Sequence, residues 1–187
     1  MTRLQGEGDI LRLIADDPAM MAVLGVVRRQ ALPDWWIGAG FVRAKVWDYL
    51  HDFRQATELD DIDVLYHDSA DTRRRAEADI EARLRATDGG QPWSVKNQAR
   101  MHLRNGDRPY RDTTEAMAHW LETPTCVAVT LGADGELRLA APYGLADLLD
   151  LTVRPTPSAL RRPAEYRQRL RAKDWAGRWP RLRIIAT

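Results

Sequence analysis

Asp61-Ile62-Asp63-Val64 sets two carboxylates two positions apart in a run of strand-forming residues. Side chains of a strand alternate faces, so Asp61 and Asp63 project to one side, about 7 Å apart at their Cα atoms. Ile62, Val64 and Tyr66 then point the other way, toward a core. Paired carboxylates repel each other unless a cation lies between them. A hard divalent ion such as Mg²⁺ suits all-oxygen ligation and completes its shell with water or phosphate oxygens. Alone, the triplet is weak evidence, because an acidic strand edge is commoner. Upstream, Gly38 and Gly40 follow the apolar run Trp35-Trp36-Ile37 and precede an amphipathic segment. A glycine turn opening a helix lets backbone N–H groups approach a phosphate and adds the helix's positive end. Arg43, one turn further, offers a bidentate guanidinium to the same anion. Strand, glycine turn, helix with an early arginine, then paired-Asp strand: that order suits a nucleoside triphosphate and its metal.

A second cluster comprises Lys96, Asn97, Arg100 and His102. Lys96 and Arg100 could neutralise triphosphate charge, and His102 could carry a proton near neutral pH. The plainer alternatives are a solvated basic face and a hydrogen-bonded structural histidine. His51, His67 and His119 show no ligand spacing with His102, so zinc is not expected. Trp35, Trp47, Trp93 and Trp120 have apolar neighbours and read as core. Trp175 and Trp179 sit among arginines, where they either anchor that segment or stack on nucleic-acid bases.

The elements that must position these groups follow from local signals. Asp17 before Pro18 caps a helix over 19–31, which Pro33 ends. Residues 41–53 read as a helix and 62–66 as a strand. A charged helix over 70–86, with an i,i+4 pair between Glu81 and Arg85, stops at Asp88-Gly89-Gly90. Residues 92–97 read as a strand and 98–103 as a short helix; Asp112–Glu115 has capping-box spacing. Gly132-Ala133-Asp134-Gly135 turns a hairpin between 125–131 and 136–141. A helix over 164–173 lies in an irregular, proline-broken last third. Strands and helices mix without a strict alternation, so the expected class is α/β (α+β), a small mixed sheet flanked by helices.

With 187 residues, 29% of them charged and a net charge of +1, the chain can bury one core and shows no bulk polyanion signal. The distribution is uneven. From Arg154 onward ten Lys/Arg face two acids, an excess of eight positive charges that leaves the preceding residues at −7. We therefore expect a domain over 1–155 and a basic arm over 156–187, packed on it or extending from it, able to meet phosphate. One cysteine, Cys126, excludes an internal disulfide, and neither a leader-like segment nor a membrane-length apolar run is seen. A cytoplasmic protein with no membrane partner is expected.

The segment Ile37-Gly38-Ala39-Gly40-Phe41-Val42-Arg43 followed by Asp61-Ile62-Asp63-Val64 resembles the DNA polymerase β-type nucleotidyltransferase fold. It is particularly similar to the tRNA CCA-adding and poly(A) polymerase version, with its Gly-Gly-x-x-Arg turn and Asp-x-Asp strand. A fuller set resembles one bacterial family of nucleotidyltransferase-like proteins. It comprises Val46-Trp47-Asp48, Asp68, the run Trp93 to His102, Trp120-Leu121-Glu122-Thr123, the run Ala141 to Leu148 and Val153-Arg154-Pro155. The resemblance spans about 35–155. It implies Mg²⁺ (or Mn²⁺) on Asp61 and Asp63, NTP as substrate, and transfer of a nucleoside monophosphate to a hydroxyl with release of pyrophosphate. It leaves the acceptor open among RNA, protein and small molecules.

Two departures stand out. Ala39 occupies a position where the superfamily has glycine or serine. The third carboxylate that such enzymes carry on a later strand, here 92–97, is missing. Asn97, favoured by position, Glu122 or Asp68 could substitute. The rival expectations are a catalytically idle nucleotide-binding relative and an RNA-binding protein working through its basic arm.

Overall fold

The computed structural model describes residues 4–186. A five-stranded sheet in the order β3-β2-β1-β4-β5 is built from β1 (Trp36–Gly38), β2 (Ile62–Tyr66), β3 (Trp93–Asn97), β4 (Ala128–Leu131) and β5 (Leu137–Ala140). Within this sheet β1 runs antiparallel to β2 and β4, the β4–β5 pair is the expected hairpin, and β2 and β3 are parallel. Helices α1 (Glu7–Ala15), α2 (Pro18–Arg28), α3 (Gly40–Leu50) and α4 (Arg74–Thr87) supply most of the cover. Shorter helices follow: α5 (Met101–Asn105), α6 (Thr113–Met117), α7 (Ala146–Leu149), α8 (Pro157–Arg161), α9 (Pro163–Lys173) and α10 (Trp175–Arg178). A two-residue pair, β6 (Thr152–Val153) with β7 (Arg183–Ile184), ties the end of the chain back to its middle. Residues 1–3 and 187, the ends of the two expected segments, lie outside the described residues.

The two faces of the sheet differ. Ile62, Val64 and Tyr66 of β2, with Trp93 and Val95 of β3, are buried in the main core beside Val42, Val46, Ile80 and Leu84. Leu65 lies on the opposite face with Met117 and Ala128, and a smaller apolar cluster there leaves the rest of that face open. The period-two alternation of β2 thus places Asp61 and Asp63 on the open side.

The free edge of β3 is finished by a helix. Glu81 of α4 accepts the Val95 N–H at 3.3 Å and Glu77 accepts the Asn97 N–H at 2.7 Å. Two carboxylates therefore take the place of a missing strand and block edge pairing. Start signals behaved as their chemistry dictates: Asp17 accepts from the N–H groups of Ala19 and Met20, and Asp112 from that of Glu115. The Glu81–Arg85 pair closes at 2.5 Å.

The basic arm is not a loose extension. Trp175 and Trp179 are 2% and 1% exposed, and their rings meet Trp47 edge-on at centroid distances of 6.0 and 5.1 Å. Trp179 Nε1 donates to Asp48 Oδ1 at 2.7 Å, and Asp48 also takes the N–H and hydroxyl of Thr57. These contacts account for the Trp47-Asp48 dipeptide: an aromatic socket and a carboxylate that fix the arm. The tryptophans are thereby withdrawn from base stacking, and anchoring is their role.

Candidate functional site

Register places Asp63 between Gly38 of β1 and Ser94 of β3. Asp61 lies just before β2, on the same face, and both carboxylates line the cleft above the open side of the sheet. Burial, and then the neighbouring charge of Asp61, push the Asp63 carboxyl up to about 6, against the pull of Arg169 and a hydrogen bond from Ser94. Such a pair is under electrostatic stress that a cation would relieve.

The glycine turn works by close approach. A Cβ on Gly38 would meet Leu65 Cδ1 at 2.8 Å and the Trp120 ring at 3.0 Å. Only a bare backbone lets the indole of Trp120 close over the strand end, where it forms a wall of the cleft. Trp120 thus packs on the smaller apolar cluster, as its neighbours suggested, and borders the cleft as well. Ala39, the N-cap of α3, has φ 50° and ψ −114°, a left-handed conformation that costs an alanine about 1–3 kcal/mol. Its N–H is held by Val127 O at 2.9 Å. No side chain caps α3, so its positive end opens on the cleft lined by Ala39 and Gly40.

Arg43 is buried, with its guanidinium 5.2 Å from the Trp47 ring and 4.7 Å from that of Trp175. Its Nε has no hydrogen-bond partner. Burial and the nearby Arg169 lower its pKa to about 10, while Glu122, Asp63 and Asp61 oppose that shift. Stacking on two indoles holds the cation where no carboxylate pairs with it directly.

The arm closes the cleft. Arg169 of α9 borders both halves of it, one half shared with Arg43, Lys173 and Arg178, the other with Lys96 and Trp120. Lys173 and Arg178 each reach Asp60, at 3.1 and 3.0 Å. Sequence reasoning had placed none of these three cations in the site. The only signal was the charge asymmetry of the last third, which does not say which way the arm folds.

Several expected site residues lie elsewhere. Asn97 is fully buried on the face opposite Asp63. Its Oδ1 accepts the N–H groups of Asp68 and Ala99, and its Nδ2 donates to the carbonyls of Asp68 and Asp71. Saturated in this way, it has no lone pair for a metal. Arg100 forms a bidentate pair with Glu77 at 2.8 and 2.5 Å instead of facing phosphate. Asp68 caps the turn that follows it through the N–H groups of Ala70 and Asp71. His102 Nδ1 contacts Ala99 O at 3.0 Å, with its ring edge-on to Tyr110. Glu122 is fully buried against Arg169 Nε, 2.9 and 3.1 Å from its two oxygens. Of the second cluster only Lys96 faces the cleft. The residue flanking Asp63 where a third acid was sought is Ser94, and the described residues contain no cluster of three metal-ligating side chains.

Fold and cleft together define a nucleotidyltransferase-type domain. A family model described as Nucleotidyltransferase matches residues 25–184, and the chain belongs to that family. The match runs through the arm to β7. An NMR structure described as revealing a CCA-adding enzyme head domain is 32% identical, with TM-score 0.88 and 98% of each chain covered. A CCA-adding enzyme in complex with CTP matches at 16% identity and TM-score 0.61, covering 99% of this chain and 44% of the other. The Thermotoga maritima CCA-adding enzyme complexed with tRNA matches at 18% and TM-score 0.58, with coverage of 100% and 44%. This chain thus spans less than half the length of those two enzymes, and at that identity the likeness shows the fold. Comparison with curated proteins gives no match. Among the described residues no helix is long and apolar enough to cross a membrane.

Proposed function

We propose that this protein transfers a nucleoside monophosphate from an NTP to an acceptor hydroxyl, with release of pyrophosphate. The observation that carries this reading is the stressed carboxylate pair Asp61–Asp63, set on the open sheet face beside the uncapped N-terminus of α3 and the unpaired Nε of Arg43. Asp61 and Asp63 would hold Mg²⁺ or Mn²⁺; all-oxygen donors and mutual repulsion suit a hard cation. When bound, that ion supplies Lewis-acid stabilisation of the charge developing on the transferred phosphoryl group. The N–H groups of Gly40 and the first turn of α3, with Arg43, bind the phosphates at the narrow end of the cleft. Trp120 and Lys96 border the wider half, where the acceptor hydroxyl enters. Complexes of the related enzymes with CTP, ATP and tRNA support nucleotide as ligand and RNA as one acceptor class to try.

Ser94 in place of an acid favours a second reading, in which nucleotide is bound without transfer. A hydroxyl cannot take the proton that a third carboxylate would. Incubation with each labelled NTP and Mg²⁺ or Mn²⁺, against total RNA, protein and small hydroxyl acceptors, separates the two. Transfer that disappears in Asp61→Ala supports the first; binding with no product under any acceptor supports the second.

A further inference from the structure

Arg169 is held in an unusual way. Its Nε is taken by a carboxylate, Glu122, that is itself fully buried and oriented by the Thr125 hydroxyl, 3.1 Å from Oε2. Its guanidinium carbon lies 5.7 Å from the Trp175 ring centroid. One nitrogen is thus anchored at the back and one face is covered by an indole, while the side chain borders both halves of the cleft beside Asp61 and Asp63. One turn further along α9, Lys173 reaches the same cleft, and Arg178 joins it from α10. Neither is anchored by a buried acid. Both are held by Asp60, one residue before the carboxylate pair and 45% exposed at its side chain.

We propose that the C-terminal arm supplies the pyrophosphate half of the nucleotide site, with Arg169, Lys173 and Arg178 as phosphate ligands, Glu122 positioning Arg169, and Asp60 holding the other two until the triphosphate displaces it. This rests on the nucleotide-transfer reading and extends it to residues outside the glycine turn and paired-Asp strand. Three cations lining a cleft with two carboxylates suit a polyanion that brings its own divalent ion; a neutral ligand could not draw Lys173 and Arg178 away from Asp60. Asp60 acts as an internal competitor. It ties loop and arm together beside the cleft, and an entering phosphate takes its two partners. Removing Asp60 and removing Asp61, adjacent residues of identical chemistry, must then have opposite effects on affinity.

The test is calorimetric titration of the full chain with Mg²⁺–ATP, Mg²⁺–CTP, Mg²⁺–pyrophosphate and AMP. Lys173→Ala and Arg178→Ala are expected to weaken pyrophosphate and NTP binding by about five- to twentyfold each, leaving AMP within twofold. Arg169→Gln, made together with Glu122→Gln to avoid an unpaired buried acid, should weaken both by 30-fold or more. Asp60→Asn should tighten NTP binding about threefold, whereas Asp52→Asn, which frees Arg181 away from the cleft, should leave it unchanged. Glu122→Gln alone should lower NTP affinity with AMP affinity retained, which a purely structural role would not do. Wild-type binding of NTP with Lys173→Ala and Arg178→Ala both unaffected, or Asp60→Asn weakening binding, overturns the inference alone. No NTP binding by the wild type overturns the nucleotide reading with it.

Discussion

Two basic stretches of this chain look alike in sequence and do opposite work. Residues 96–102 hold Lys96, Arg100 and His102 within a motif-rich run; residues 162–178 hold arginines in a proline-broken tail. In the first, all but Lys96 turn inward. Arg100 locks onto Glu77, which also finishes the edge of β3, and Asn97 ties down the loop after β2 through three hydrogen bonds and accepts the Ala99 N–H through a fourth. In the second, Arg169, Lys173 and Arg178 turn toward the paired carboxylates, while Trp175 and Trp179 fasten the segment to α3. A residue pattern shared with a family marks what the fold needs as readily as what the chemistry needs. Which of the two applies depends on the partner each side chain finds.

Scaffold and site residues should therefore differ in the sign of what their loss does to stability. The largest effects belong to the scaffold. Asn97→Ala leaves four backbone groups, one buried and three part-buried, without their partner and should cost about 3 kcal/mol of unfolding free energy. Arg100→Ala strands the buried Glu77 carboxylate and should cost a similar amount, about 3 kcal/mol. Chemical denaturation measures both, and a loss under 1 kcal/mol in either would break the contrast.

Site residues should go the other way. The Asp63 carboxyl is raised in the folded chain, so the folded state holds that proton more tightly than the unfolded state does. Its contribution favours folding below pH 4 and is withdrawn as pH rises from about 4 to about 6. Asp63→Asn should thus raise stability at pH 7 by roughly 2 kcal/mol and flatten the stability profile between those values. Unchanged stability, with the slope retained, would mean the pair is not under stress. A smaller gain, about 1 kcal/mol, is expected for Ala39→Gly, because glycine adopts φ 50° without penalty. Denaturation midpoints that fall in this variant would contradict the strain assigned to the turn. Smallest of all, Lys173→Ala should shift stability by less than about 0.5 kcal/mol, its ion pair with Asp60 being partly solvated.

Much of the fold was legible because its signals are local. Period-two alternation at Ile62–Tyr66, the Asp17-Pro18 start and the 132–135 turn each carry their own physical cause. α1, α10 and the β6–β7 pair had none that stood out; α8 had one, a Thr156 cap before Pro157, hidden among the prolines of the last third. α1 is a short helix without a side-chain cap at its start, and two-residue strands exist only through their partners. Within the site, the glycine turn, Arg43, the Asp pair and Lys96 could be placed because adjacent residues build them. Asn97 misled because its polar type was weighed above its place: alternation from Trp93 and Val95 puts it on the core face, while Ser94 and Lys96 share the cleft face. Ser94, which aligns with Asp63 on the strand where a third acid was sought, was not singled out, because its place beside Asp63 follows from strand pairing. Arg169 was out of reach: Glu122, its anchor, lies 47 residues away.

The claim beneath all of this is that Asp61 and Asp63 form a metal–nucleotide site with the cations around them. Its most direct test is calorimetric titration of Mg²⁺–NTP into the wild type and into Asp61→Ala at equal ionic strength. Saturable binding by the wild type that drops at least 100-fold in the variant, with the fold intact by circular dichroism, is the predicted result. Equal affinity in the two proteins would contradict it.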